Sequence, residues 1–252
     1  PLSVLMSAKI KNILIITNPE DIDQFQTLIG NGEGLGMKIK YAVQNKPRGI
    51  AEAFKIGADF IGKDKVCLIL GDNIFHGQGF GDILLKASNF KKGGLIFAYP
   101  VLNPQEFGVI KFDKNDKVIS IHEKPKNPKS NYAITGLYFY DNKVIEYFKK
   151  IKPSKRNEFE ITSINKCYLN NNELFVLPLG RGMTWFDCGS QSSLIEASQY
   201  VYTLEKRQGL KIGCVEEIAW RNKWISDKKM SAHVIKYKSS DYGKYLSKIL
   251  KN

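Results

Sequence analysis

KVCLILGDNIFHG, residues 65–77, is the stretch on which the fold turns. Val66 to Leu70 is a continuous apolar run that stops at Gly71-Asp72-Asn73, the form of a strand buried on both faces and ending in a turn. Such a strand belongs in the interior of a layered α/β sheet, where ligands meet the carboxyl ends of the strands. Upstream, Asn12 to Thr17 (NILIIT) is a similar run closed by Asn18-Pro19, and Lys38 to Gln44 reads as another strand. Asp21 to Ile29 and Gly49 to Ile61 read as the helices between them. Strand, helix, strand, helix, strand at this spacing predicts three parallel strands joined by right-handed crossovers, a doubly wound layer.

Downstream the pattern changes. A helix over 80–90 and a strand over 95–101 continue the layer. Gly108 to Phe112, Val118 to Glu123 and Ala133 to Tyr140 then follow with few helices between them, which predicts an antiparallel extension of the sheet. Glu160 to Leu169 reads as a helix, and Leu174 to Pro178 and Met183 to Phe186 as strands. From Ser190 onward the chain is largely helical, with Leu194, Ile195, Ala197, Tyr200, Val201 and Leu204 at three- to four-residue spacing.

The 252 residues are 43% hydrophobic and 25% charged, which excludes a disordered or fibrous chain. The longest apolar candidate, Leu95 to Leu102, is interrupted by Pro100 and far short of the roughly 18 residues a membrane span needs, so no membrane partner is expected. A formal charge of +13 would favour a polyanion if it were gathered on one face. The lysines are instead scattered as singles and pairs such as Lys91-Lys92, and only five basic residues are Arg, so nucleic acid is not an expected partner. Cys67, Cys167, Cys188 and Cys214 form no C-x-x-C pair and sit in or beside apolar stretches, as reduced thiols of a cytoplasmic protein do.

Two acidic residues stand where chemistry is expected. Asp72 ends one apolar strand, and Asp187, in MTWFDCGS (183–190), ends another beside Gly189. Each alone is either a turn cap or a ligand for Mg²⁺, which binds one or two carboxylates and fills its shell with phosphate oxygens and water. If their strands lie close, the two could hold a metal between a nucleotide and its acceptor. Glu123-Lys124-Pro125 leaves a strand end as either an ordinary surface pair or a phosphate-binding cation beside a hydroxyl-binding carboxylate. Gln44 with Gly49 is either an exposed polar residue and a helix start, or a planar amide reading a base edge. Trp185 and Tyr138 are core aromatics or sugar platforms. His76, His122 and His233 lack metal-ligand spacing, and neither a nucleophile elbow nor a P-loop motif occurs.

The ordered set VQNKPRGIAEAF (43–54), LGDNIFHG (70–77), EFGVIKFD (106–113), EKPKNPKSNYAITGLYFYDN (123–142), EITSIN (160–165), GRGMTWFDCGS (180–190), SLIEAS (193–198) and EKRQGLK (205–211) resembles the bacterial glucose-1-phosphate thymidylyltransferases, a branch of the sugar nucleotidyltransferases, over the whole chain. The resemblance implies a Rossmann-like α/β fold with a mixed, mostly parallel central sheet, helices on both faces, an antiparallel extension and carboxyl-terminal helices. It implies one domain, with 1–105 binding nucleotide, 106–189 binding sugar and 190–252 helical. Asp72 and Asp187 match the Mg²⁺-holding positions, with Lys124 the third catalytic position. Gln44, Gly49 and Asp72 match nucleotide-binding positions, and Asn73, Gly108, Glu123, Lys124, Ile134, Tyr138 and Trp185 match positions around the sugar. The implied reaction joins dTTP and α-D-glucose 1-phosphate into dTDP-glucose with release of diphosphate, in deoxysugar pathways such as that of dTDP-rhamnose. A homotetramer with feedback control at a second site is implied as well.

The departures from the pattern are specific. Phe107 stands where Tyr is frequent, and Cys188 and Ser190 where Thr is usual. The family's opening strand and its Gly-rich loop, with an Arg and a Lys that grip the triphosphate, have no counterpart in these residues; Pro1 aligns after them. The chain is therefore expected to be an amino-terminally truncated copy, and a sugar-nucleotide-binding remnant without catalysis is the alternative expectation.

Overall fold

A computed structural model describes residues 1–251 of the chain. Ten strands occur among them: β1 (Asn12–Thr17), β2 (Lys38–Val43), β3 (Val66–Ile69), β4 (Asn73–Gly77), β5 (Gly94–Pro100), β6 (Gly108–Phe112), β7 (Val118–Glu123), β8 (Tyr132–Tyr140), β9 (Leu174–Pro178) and β10 (Met183–Asp187). The main sheet runs β7-β6-β8-β5-β9, with β3 also paired to β8. Because β3, β5 and β6 each pair antiparallel with β8, and β9 pairs parallel with β5, these four strands share one direction while β8 and β7 run against it. This is the layered α/β architecture with its antiparallel extension.

The reversed strand β8 is the centre of the molecule. Alternation along it sends Ile134, Tyr138 and Tyr140 into one core with Ile96, Ile110, Phe54 and Tyr168, and Ala133, Leu137 and Phe139 into another with Phe97, Leu84 and Trp185. Side chains buried this fully contribute roughly 1.5–3 kcal/mol each to the folded state. A third core joins Leu5 and Met6 of the helix Leu2–Ser7 to Ile13, Ile39, Met230, Leu246 and Ile249, so the last three helices close over β1 and β2.

The parallel trio expected from the first seventy residues does not form as one ladder. β1 pairs parallel with β2 in register Asn12↔Lys38 to Thr17↔Val43, but β3 takes β8 as its partner. A slot of about 250 Å³ separates β1 from β3, lined by Ile13, Leu14 and Ile16 on one side and Cys67, Leu68 and Ile69 on the other. The apolar runs predict strands buried on both faces, yet of β1 and β3 only Ile13 is buried, because both strands line this slot; hydrophobic pattern does not say which edges meet.

Two local expectations also change. The single helix over 49–61 is three short pieces, Ile50–Glu52 in 3₁₀ form, then Ala53–Ile56 and Ala58–Ile61. The Ala51 amide donates to the Phe159 carbonyl at 3.1 Å rather than within a helix, and Gly57 interrupts the run against the Leu14 side chain. Asn73, expected in a turn with Gly71 and Asp72, opens β4 with residues 74–77, which carried no expectation, because β10 supplies an antiparallel partner over five residues, Met183↔Gly77 to Asp187↔Asn73.

Candidate active site

The β4-β10 ladder joins two aspartates far apart in sequence. Asp187 closes the ladder opposite Asn73, and the Cys188 amide donates to the Asp72 carbonyl at 2.9 Å. The two carboxyl groups lie so near one another that a methyl group on Gly189 would rest 3.6 Å from Asp187 Oδ1 and 3.7 Å from Asp72 Oδ2. Burial, and then the neighbouring Asp72 charge, push the Asp187 carboxyl above its ordinary range; the Gly189 N–H and the Lys124 ammonium act in the opposite direction. Two hard oxygen donors that repel one another are a donor set suited to a divalent cation such as Mg²⁺. No cluster of three or more metal-ligating His, Cys, Asp or Glu side chains occurs among the described residues.

Asn73 organises this end of the site. It is fully buried, its Nδ2 donates to Asp72 Oδ1 at 2.8 Å, and its Oδ1 accepts from the Gly136 amide at 3.0 Å and from Trp185 Nε1 at 2.7 Å. One amide thus ties β4, β8 and β10 together and orients both Asp72 and the indole. Trp185 is itself buried against Phe107 and Tyr99. Tyr138 is buried and stacked on Tyr140, and burial, then the charges of Glu123, Asp187 and Asp72, push its hydroxyl well above the usual range.

Lys124 is near enough to act on the carboxyls of both Glu123 and Asp187. Its φ of +37° is rare for a residue with a side chain, and it precedes Pro125, which restricts it further; a backbone of this kind concentrates at functional sites. The Lys124 amide donates to the Phe107 carbonyl at 3.0 Å, holding the turn against the start of β6. Burial raises both carboxyls, and the Lys124 charge acts as a lesser opposing influence on each. Gly108 and Ile134 lie beside Glu123: a Cβ on Gly108 would come within 2.9 Å of Thr162 Cγ2, 3.3 Å of Ile134 Cδ1 and 3.6 Å of Glu123 Oε2.

The residues from the amino-terminal part reach this cluster through a loop that sequence reasoning did not assign. Gln44 Nε2 donates to Glu52 Oε2 at 2.9 Å and to the Gly49 carbonyl at 3.3 Å. Gly49 has φ +96° and packs so tightly on Phe159 that a Cβ would lie 2.6 Å from the Phe159 carbonyl oxygen. The next residue, Glu160, is buried and bound in two-pronged fashion by Arg156, whose guanidinium also reaches Glu123 at 3.6 Å. Burial, opposed by a hydrogen bond from Thr162 and reinforced by the Glu160 charge, raises the Glu123 carboxyl pKa. Glu52, Arg156, Glu160 and Thr162 therefore belong to the site although none was singled out. Glu52 lies within VQNKPRGIAEAF and Glu160 and Thr162 within EITSIN, but those segments marked the family and not these side chains, and Glu160 reads there simply as a helix start.

The nucleotidyl transferase family model matches residues 1–203. The glucose-1-phosphate thymidylyltransferase of Neisseria meningitidis is 51% identical over 251 residues, all of this chain and 87% of the relative. That of Mycolicibacterium smegmatis is 50% identical over 99% of this chain and 86% of its own. The chain belongs to the nucleotidyl transferase family, among the glucose-1-phosphate thymidylyltransferases. A crystal structure of a Bacillus anthracis protein assigned to the same group, in complex with sucrose, superposes with a TM-score of 0.72 at 39% identity over 79% of each chain. A UDP-glucose pyrophosphorylase bound to UDP-glucose shares the fold, with a TM-score of 0.67 at 20% identity over 80% of this chain and 86% of that one.

Within this nucleotidyl transferase the three departures have structural readings. Phe107 contributes its ring to Trp185 in place of a hydroxyl contact. Ser190 caps the helix Gln191–Gln208, its Oγ accepting from the Ser193 amide at 3.2 Å while Ser193 Oγ accepts from the Ser190 amide. Cys188 keeps only its backbone role at Asp72, and burial with the two aspartate charges pushes its thiol up, away from the reactive thiolate.

Proposed function

We propose that this chain transfers a thymidylyl group from dTTP to α-D-glucose 1-phosphate, giving dTDP-glucose and diphosphate. The observation that carries the reading is the Asp72/Asp187 pair at the end of the β4-β10 ladder with the Lys124 cation beside it. A sugar-phosphate oxygen attacks the α-phosphorus of dTTP, the bond from that phosphorus to the α,β-bridging oxygen breaks, and diphosphate leaves with the electron pair. Little covalent chemistry falls to the protein, so positioning and charge neutralisation supply the rate.

Lys124 holds the sugar phosphate as a point charge, Glu123 and the Gly108 backbone receive the sugar, and Ile134, Tyr138 and Trp185 wall it. Gln44 and Gly49 meet the thymine. Asp72 and Asp187 would hold Mg²⁺, which when bound neutralises phosphate charge in the displacement. On this reading residues 1–105 bind nucleotide, 106–189 bind sugar, 190–252 form the helical part, and the enzyme works in the cytoplasm. Among the described residues no helix is long and apolar enough to cross a membrane.

Diphosphate release from dTTP plus glucose 1-phosphate in Mg²⁺ tests the reading. The expected result is turnover that needs both substrates and stops on adding EDTA; no diphosphate at any metal concentration overturns it. The helix Gln191–Gln208 buries little more than Ala197 and exposes Leu194, Ile195 and Tyr202, which supports a homotetramer built through this face. Sedimentation equilibrium is expected to give four times the 28.6 kDa chain mass, falling when Leu194 and Ile195 are replaced by Ser.

A further inference from the structure

We propose that Glu52 is the residue that sets base choice, by fixing which end of the Gln44 amide faces the nucleotide. The inference rests on the proposal that Gln44 meets the base and adds the reason for its selectivity. A glutamine amide is nearly symmetric in shape, and either its carbonyl or its NH₂ can be presented to a ligand. Here one end of the Gln44 amide faces two acceptors, a Glu52 carboxylate oxygen at 2.9 Å and the Gly49 carbonyl at 3.3 Å. Only the NH₂ satisfies both; turning the amide over would set a carbonyl oxygen against a carboxylate and a carbonyl. The Gln44 carbonyl is therefore the end left for the ligand.

Glu52 is held firmly in this role. Its residue surface is 7% exposed, and its other oxygen lies 3.8 Å from Arg48, one helical turn earlier. Arg48 in turn rests on the Phe159 ring, and its carbonyl accepts from the Phe159 amide at 2.7 Å. The carboxyl group is thus buried and directed at Gln44 by the same loop that connects the base end of the site to the Glu160-Arg156-Glu123 cluster.

A carbonyl presented to the pairing edge of a pyrimidine accepts from the N3–H of thymine or uracil. Cytosine carries a bare acceptor at N3 and meets the same carbonyl as a repulsion with no hydrogen bond. An unpaired polar group in a partly buried site is the kind of mismatch that discriminates strongly. Glu52 touches Gln44 and not the base, so it is a positioning residue. Gln at 52 can offer its own NH₂ to the Gln44 carbonyl, which leaves the Gly49 carbonyl as the one acceptor opposing a turned amide and weakens the selection against cytosine.

The test is the set of equilibrium dissociation constants of dTTP, dUTP and dCTP for the wild type and for Glu52→Gln, Glu52→Ala and Gln44→Ala, with a thermal melt of each. The wild type is expected to prefer dTTP and dUTP over dCTP. Glu52→Gln lowers the dTTP:dCTP preference about tenfold, the scale of one buried hydrogen bond, while dUTP keeps pace with dTTP. A variant that merely loosens the fold weakens all three nucleotides together and leaves their ratios alone, which keeps the result interpretable if Glu52→Ala is unstable. Unchanged ratios in both Glu52 variants, with the preference lost in Gln44→Ala, overturn the role of Glu52 and leave the base reading standing. No preference in the wild type, or none lost in Gln44→Ala, overturns the base reading and Glu52 with it.

Discussion

Replacing Asp187 by Asn, or Asp72 by Asn, lowers diphosphate release at least about a hundredfold without lowering the melting temperature. Asn keeps the size of the side chain and its carbonyl, so the β4-β10 ladder and the Cys188 N–H bond to the Asp72 carbonyl remain. What is lost is one of two anionic oxygens that face the same space. Burial, and then the Asp72 charge, disfavour the ionised form of Asp187, so removing one of the two charges relieves repulsion in the metal-free protein. Stability held or raised together with activity lost is the mark of a group kept for chemistry. A calorimetric melt in EDTA alongside the diphosphate assay checks both halves, and near-wild-type turnover in either variant would remove these aspartates from the reaction.

Gly136→Ala is expected to cost about 2–4 kcal/mol of stability and nearly all activity at once. The added methyl would sit 2.4 Å from Asn73 Oδ1 and 2.7 Å from its Cγ, inside the contact distance of any real pair. Asn73 cannot retreat, because its Oδ1 holds both the Gly136 N–H and the Trp185 indole and its Nδ2 holds Asp72. Moving it breaks three hydrogen bonds at the junction of β4, β8 and β10 and turns Asp72 away from Asp187. Urea unfolding followed by indole fluorescence reads the first effect, since Trp185 reports on this junction. Asn73→Ala in the Gly136→Ala background makes room for the methyl, and it is expected to recover packing but not turnover. A Gly136→Ala protein that melts and turns over like the wild type would show that β8 shifts to admit the methyl.

Much of the site was legible because its residues sit at strand ends beside turn signals. Asp72 after VCLIL and Asp187 after MTWF each read as a carboxylate at a sheet edge, and Glu123-Lys124-Pro125 as a charged exit from β7. The motif order then supplied the family. Asn73 was assigned to the sugar by resemblance, and the structure places it as a buried hub, a role that depends on an indole 112 residues away. Glu52 and Glu160 were passed over because each also reads as an ordinary acidic residue at a helix start. Their ties are local, to Gln44 eight residues back and to Arg156 four residues back, but their burial comes from the 48–52 turn and Phe159 bonding across about a hundred residues of chain.

The fold divides along the same line. Apolar runs and their turn residues determined where most of the strands lie and that the architecture is layered α/β, because side-chain periodicity is a local property of the chain; the burial of β8 on both faces came from the tertiary structure. Which strand edges pair was decided by tertiary structure. β3 joins β8 instead of β1, residues 73–77 become a strand only through β10, and the helix expected over 49–61 breaks where Ala51 bonds to Phe159. Hydrogen bonds between distant segments depend on which partners the whole fold brings within 3 Å. Hydrophobic pattern records only that a residue is buried, and so the aspartates could be named from sequence while their meeting could not.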